Sequence, residues 1–323
     1  MSGGDVAEPT LPMLPLDEWE ATKTTLHLWA QIVGKVRMAS TPPRNHWWHV
    51  ALYVDVRGLT TRRMHARNGV RFQVDFDFVD HRLVISTSRG DVESFALVDG
   101  LSVAMFDEQL HDTLRRLGID VAILESPFGV SATTPFPADR EHAAYDPGAV
   151  ERFWRILDWT DGVLEEFAGW YCGKTSPVHL FWHSFDLAVT RFGGKRAPAI
   201  PDTDEVTRET YSHEVVSFGF WAGDERVREP TYYAYAAPEP ADLRSAPLRP
   251  DAAHWIELGG GSLAMLPYDV VRTANDPKAT LLAFLESAYR IGAEAAGWDQ
   301  VELTSSWCPA QPELNDLLAG SPS

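Results

Sequence analysis

Two stretches decide how the chain is read: WWHVALYVDVRG (Trp47–Gly58) and WHSFDLAVTRFG (Trp182–Gly193) are two versions of one pattern. In the first, Val50, Leu52, Val54 and Val56 alternate with Ala51, Tyr53, Asp55 and Arg57, the period of a half-buried strand. Aligned without gaps, Leu52 falls on Leu187, Val54 on Val189 and Gly58 on Gly193. Other pairs follow outward in the same order. Gly34-Lys35 and Gly173-Lys174 precede them; Phe76–Phe78 and Phe218–Phe220, Gly100–Met105 and Gly260–Met265, and Gly118–Asp120 and Gly297–Asp299 come after. Matches kept in order across both halves read as a degenerate duplication.

Each half reads alike. An opening helix over Asp17–Met38 carries Trp19, Leu26, Trp29, Ile32, Val33 and Val36 on one stripe. Its counterpart starts at Asp146, an N-cap, with Pro147 in the first turn. In the strands that follow, Phe72, Val74, Phe76 and Phe78 alternate with Gln73, Asp75 and Asp77, and Val84–Thr87, Glu93–Leu97 and Leu101–Met105 are shorter. Helices at Phe106–Leu117 and Asp276–Ala296 come next, then strands at Asp120–Leu124 and Gln300–Leu303. The expected fold is α+β: two fused repeats of helix, about four antiparallel strands, helix and strand, related by a pseudo-two-fold axis. Residues 16–125 and 146–304 are the repeats, 126–145 a crossover linker, and 1–15 and 305–323 a disordered N-terminal tail and a C-terminal tail. A seam between two such halves is a common place for a pocket.

Composition narrows the function. At 45% hydrophobic and 23% charged residues, the chain is that of a globular protein. Its net charge of −18 repels phosphate backbones and anionic lipid, so neither nucleic acid nor membrane is an expected partner. Cys172 and Cys308 are too few for a disulfide framework or a cysteine-type zinc site. The start of the chain lacks the basic and apolar regions of a signal peptide, so a cytoplasmic location is expected.

Histidine, tryptophan and carboxylates supply the candidate chemistry. His46 and His49 would point to opposite faces of a strand, and His179 and His183 would lie about 13 Å apart on one, so neither pair chelates a metal. No cofactor is expected, although ligands from separate strands leave no spacing signature and a metal ion stays open. His213 is the expected proton shuttle, with Glu214 or Asp186 orienting it and Ser184 donating to a substrate. His179, His46, His49, Trp182, Tyr53 and His142 are the expected substrate-binding residues. Lys35 and Lys174, each after a glycine, read as helix C-terminal residues.

The runs Asn45–Thr61, Ser176–Gly194 and Tyr211–Trp221 resemble an uncharacterised bacterial family, domain of unknown function 5996. That resemblance spans the chain from the first helix to about Trp298 and carries no activity, cofactor or catalytic residue. The functional expectation is a protein that binds or processes a small organic molecule in a His/Trp-rich pocket between the repeats, by His/carboxylate acid–base chemistry. The alternatives are a non-catalytic binder of an apolar or aromatic ligand, and a metal-dependent enzyme. Oligomeric state is left open.

Overall fold

The computed structural model describes residues 11–305. The first half runs α1 (Leu16–Ser40), β1 (Tyr53–Asp55), β2 (Gly58–Thr60), β3 (Met64–His65), β4 (Arg71–Asp77), β5 (Arg82–Thr87), β6 (Val92–Ala96) and α2 (Val103–Arg116). The second runs α3 (Pro147–Gly169), β7 (His179–Phe181), β8 (Asp186–Arg196), α4 (Glu205–Thr210), β9 (His213–Trp221), β10 (Thr231–Ala237), β11 (His254–Leu258) and β12 (Gly261–Pro267). Helices α5 (Tyr268–Arg272), α6 (Pro277–Ala295) and α7 (Gln300–Leu303) close it. The fold is α+β with two antiparallel sheets of six strands each, ordered β1-β2-β4-β5-β6 with β3 beside β4, and β11-β12-β10-β9-β8-β7.

Alternation fixes which face each strand buries. Phe72, Val74 and Phe76 of β4 are buried, as are Leu83 and Ile85 opposite them on β5. Against them Phe106 of α2 stacks on Phe76, ring centroids 6.2 Å apart, and Trp29 of α1 stacks on Phe106 at 5.0 Å. In the second half Phe167 of α3 meets Phe218 of β9 edge-on at 5.0 Å. One buried apolar cluster runs through both halves.

The two sheets meet at their edges. Leu52 and Leu180 exchange both backbone hydrogen bonds, at 2.9 and 2.8 Å, in a single antiparallel bridge. Trp182, just past β7, donates its indole N–H to the Val50 carbonyl at 3.0 Å. Its ring lies flat on α1, where a Cβ at Gly34 would sit 2.2 Å from it. His27, two turns earlier on α1, bonds the Trp182 carbonyl at 2.9 Å and stacks on Phe185. The crossover docks on the same helix, with Lys35 donating to Ser126 O at 2.7 Å and Gln31 bonding both backbone groups of Phe128.

Several expected elements differ. The strand expected from Val50 is shortened to β1, because His46 and Trp47 adopt left-handed backbone in a tight turn and carry the chain around before Leu52. Leu101–Met105 is not a strand: Ser102 accepts from the Met105 N–H and starts α2 there. Asp120–Leu124 pairs with no strand among the described residues, and Gln300–Leu303 is a single helical turn capped by Asp299. Gly100–Met105 therefore enters a helix where Gly260–Met265 forms β12. Phe76–Phe78 and Phe218–Phe220 do occupy interior strands of their sheets, β4 running into the following turn. Gly34 and Lys35 lie within α1, not at its end. Of the expected tails, residues 1–10 and 306–323 lie outside the described residues; Leu11 and Leu14 are buried in the core. No described helix is long and apolar enough to cross a membrane.

The Gly34–Trp182 contact fastens α1 to the joint between the sheets and leaves no room for a side chain at Gly34. Gly34→Ala should cost about 1–3 kcal/mol by forcing Trp182 off the helix. Urea unfolding checks this; an unchanged midpoint would mean that the indole moves aside freely.

Candidate functional site

The expected shuttle does not assemble. His213 and Glu214 are neighbours on β9, so their side chains leave opposite faces of the sheet. Glu214 takes the Trp298 indole N–H at 3.0 Å, while His213 pairs in the ladder with Arg196. Asp186 is opposite Trp221, the far end of β9, eight residues from His213 and roughly 26 Å away at about 3.3 Å per residue.

Asp186 belongs to a separate polar group at the other end of the second sheet. Ser184 and the Tyr233 hydroxyl each donate to one of its oxygens. Gly219, between β8 and β10, makes the Tyr233 bond possible: a Cβ there would lie 2.5 Å from the Tyr233 oxygen. Burial, with the Asp186 charge beside it, raises the Tyr233 phenol well above its ordinary value, so it stays a donor. Both carboxylate oxygens are thus occupied from within the chain, as befits a structural group. Trp182 is likewise a wedge between the halves. His142 bonds Asp139 at 2.7 Å, and the same carboxylate accepts the Glu141 and His142 N–H groups, so this pair shapes the crossover turn.

His46 and His213 do come together, with ring centroids 5.5 Å apart across the two halves. His46 is 3% exposed. Its Nδ1 faces the Glu209 and Thr210 carbonyls, both at 3.2 Å, and carbonyls only accept, so Nδ1 carries the proton. Nε2 accepts from Lys174 Nζ at 2.6 Å. Burial first, then Lys174, pushes the His46 pKa down, and the ring is neutral. His49 turns away: its Nδ1 accepts the Arg44 N–H at 3.3 Å, and burial, Arg37 and Arg44 hold its pKa down.

A third group surrounds the sheet junction. Tyr53 of β1, one residue past the Leu52 bridge, is buried, with the Arg62 guanidinium 3.5 Å from its ring centroid. Arg62 adopts left-handed backbone, φ 53°, held by Thr60 Oγ1 accepting its N–H at 2.9 Å. From α1, Arg37 lies 5.4 Å from the same ring, contacts the Tyr53 hydroxyl and donates to Thr61 O. His179 of β7 packs edge-on against Tyr53 at 6.2 Å. It is 1% exposed, and burial with Arg37 and Arg62 pushes its pKa down to about 3. Its Nδ1 has no hydrogen-bond partner among the described residues. Arg44 adds a third cation within electrostatic reach of Arg37.

Of the expected binding residues, Tyr53 and His179 therefore share one site, and His46 lies in another with the proposed shuttle His213. Arg37, Arg62, Lys174 and Glu209 were not anticipated as site residues. Their elements lie far apart in the chain, so spacing carried no signal for them.

Among the described residues no group of three or more His, Cys, Asp or Glu is placed to hold a metal ion. A hollow of about 430 Å³ lies elsewhere, lined by Arg89, Asp91, Glu93 and Arg116 around the α2 end of the first sheet. The model of the family of unknown function DUF5996 matches residues 11–305. The chain belongs to that family. No curated protein and no solved structure matches the chain. The DUF5996 match thus covers the whole described structure, and the site chemistry rests on the geometry above.

Asp161 of α3 lies within electrostatic reach of Arg62. Burial, then Glu165 and Asp158, raise its carboxyl to about 7, with Arg62 pulling the other way. The folded chain holds this proton more tightly than the unfolded one, so the carboxyl costs stability as pH rises from the ordinary carboxylate range through 7. Asp161→Asn should be close to neutral below pH 4 and stabilising by roughly 1–2 kcal/mol above pH 8. Urea midpoints across that range check the sign; a difference that does not grow with pH contradicts it.

Proposed function

We propose that this protein binds a small organic anion, through a carboxylate or phosphate group, at the junction of its two sheets. One observation carries the reading. Arg37 is 7% exposed, its Nε has no partner among the described residues, and no carboxylate there forms an ion pair with it. A buried guanidinium without a counter-charge costs several kcal/mol, and a second cation beside it adds repulsion. Arg62 is that second cation, also without an ion-pair partner among the described residues. An oxyanion entering past the exposed Arg62 toward Arg37 offsets both costs. Guanidinium forks suit carboxylate and phosphate oxygens, and Tyr53 gives the site a flat apolar wall.

This keeps the small-molecule reading and replaces its chemistry. His46 and His179 are buried and held neutral, and the His213–Glu214 pair is split across a sheet, which favours binding over histidine–carboxylate catalysis. Asp161 is a carboxyl near the junction whose raised pKa suits proton exchange near neutral pH. We also read the two halves as degenerate repeats. The placement of Phe76 and Phe218, matched in sequence, on interior strands of the two sheets supports this.

Thermal unfolding in phosphate, malonate and acetate, against sodium chloride at equal ionic strength, tests the proposal. A bound anion at a hundred times its dissociation constant adds about 2.7 kcal/mol of stability. Arg37→Met should abolish that gain while leaving the unliganded protein at least as stable, since a buried cation is replaced by an apolar chain of similar length. No anion effect beyond chloride, together with marked destabilisation by Arg37→Met, would make the arginine structural and overturn the reading.

A further inference from the structure

Lys174 is placed by its neighbours with unusual care. Gly173 before it is tightly enclosed: a Cβ there would lie 2.6 Å from the Tyr171 ring and 2.8 Å from Leu303. Backbone bridges fix the chain on either side, Tyr171 with Thr304 and Thr175 with Arg191. The Lys174 carbonyl accepts the Phe192 N–H at 3.0 Å, which lays the side chain along that residue. Nζ then sits 4.6 Å from the Phe192 ring centroid and 5.2 Å from that of Trp48. His46 reaches it from the first half, in a left-handed conformation (φ 56°) followed by another at Trp47 (φ 60°). A bulky residue rarely holds such a conformation without surroundings that enforce it, and such strain concentrates at functional positions.

The polarity of this contact is what matters. His46 Nδ1 is committed to two carbonyls, so Nε2 has a free lone pair, and that lone pair points at the Lys174 amine. The Nε2 lone pair stands ready to take a proton from the amine, and partial burial already holds the Lys174 pKa below its ordinary value, with Glu209 pulling the other way. Glu209 and His213 are the other titratable groups facing it. Lys174 is an exposed residue, so a reactant can approach its side chain.

We propose that Lys174 is a nucleophilic amine that forms an imine with a small aldehyde or ketone, with His46 as its proton acceptor. His46 Nε2 takes the ammonium proton. The amine lone pair forms a C–N bond to the carbonyl carbon as the C=O π pair moves to oxygen. The nitrogen passes one proton to that oxygen and protonated His46 supplies a second, so the oxygen leaves as water while the nitrogen lone pair forms the C=N bond of a protonated imine. Amine and carbonyl thus give imine and water, with no oxidant or reductant consumed. His46 serves first as base and then as acid.

The chain has only five lysines, Lys23, Lys35, Lys174, Lys195 and Lys278, which makes the test direct. The intact protein is treated at pH 7 with benzaldehyde and cyanoborohydride, and each lysine is followed by peptide mass spectrometry. Lys174 should be alkylated at least about tenfold faster than exposed Lys195, and its rate should level off at lower pH than that of Lys195. His46→Gln should slow Lys174 by about a hundredfold, the scale of a lost general base, while leaving Lys195 unchanged. Should that variant unfold, the pH profile of the wild-type chain still decides. Equal rates at Lys174 and Lys195 with the same pH profile, or an unchanged rate in folded His46→Gln, overturn the proposal.

Discussion

Two backbone hydrogen bonds, exchanged between Leu52 and Leu180, set the relation of everything else in this molecule. Each sheet would otherwise end in an unpaired edge strand, β1 on one side and β7 on the other. Joining them at a single pair satisfies the edges locally and leaves the strands free to diverge from that point. Trp182 then fills the angle beneath, bonded to Val50 and resting on Gly34, and α1 is drawn across the joint. The candidate chemistry follows from this geometry. Tyr53 comes one residue after Leu52 and His179 one before Leu180, so the bridge brings them together on the face opposite the leucines.

The same constraint explains an unusual charge distribution. The chain carries a net charge of −18, yet Arg37, Arg44 and Arg62 converge near the junction without ion-pair partners among the described residues. Many guanidiniums elsewhere are matched, as where Arg57 and Arg82 share Asp77 and Asp80, or where Arg228 makes a two-pronged contact with Glu20. Folding has left a basic island at the junction with no ion-pair carboxylate among the described residues. That contrast gives the island its meaning, since a random surplus of arginine would be scattered and solvated.

Much of the architecture was legible in the sequence because its signals are local. Asp146 and Asp276 cap α3 and α6 as their positions before proline indicate, and the Phe72–Phe78 alternation became β4. The misread segments had the right local pattern and the wrong context. Asp120–Leu124 alternates like a strand but pairs with no edge among the described residues, and Ser102 turns a β-like run into a helix start by accepting one backbone N–H. The His46–Trp47 turn was hidden because left-handed backbone at two bulky residues leaves no compositional mark. Site residues fared similarly. Tyr53, His179, His46 and His213 stood out by type, but their grouping depends on register across the seam. Arg37 is buried in α1, whose apolar residues made it look like a simple packing helix.

The account turns on an oxyanion sitting between Arg37 and Arg62 above the Tyr53 ring. Crystals of the protein grown in selenate test this most directly, because selenium scatters anomalously and marks the bound anion without ambiguity. The account predicts an anomalous peak within hydrogen-bond distance of both guanidiniums, with the Leu52–Leu180 bridge intact beneath it. A map with no peak there, and with both arginines paired instead to carboxylates of the chain, would contradict it.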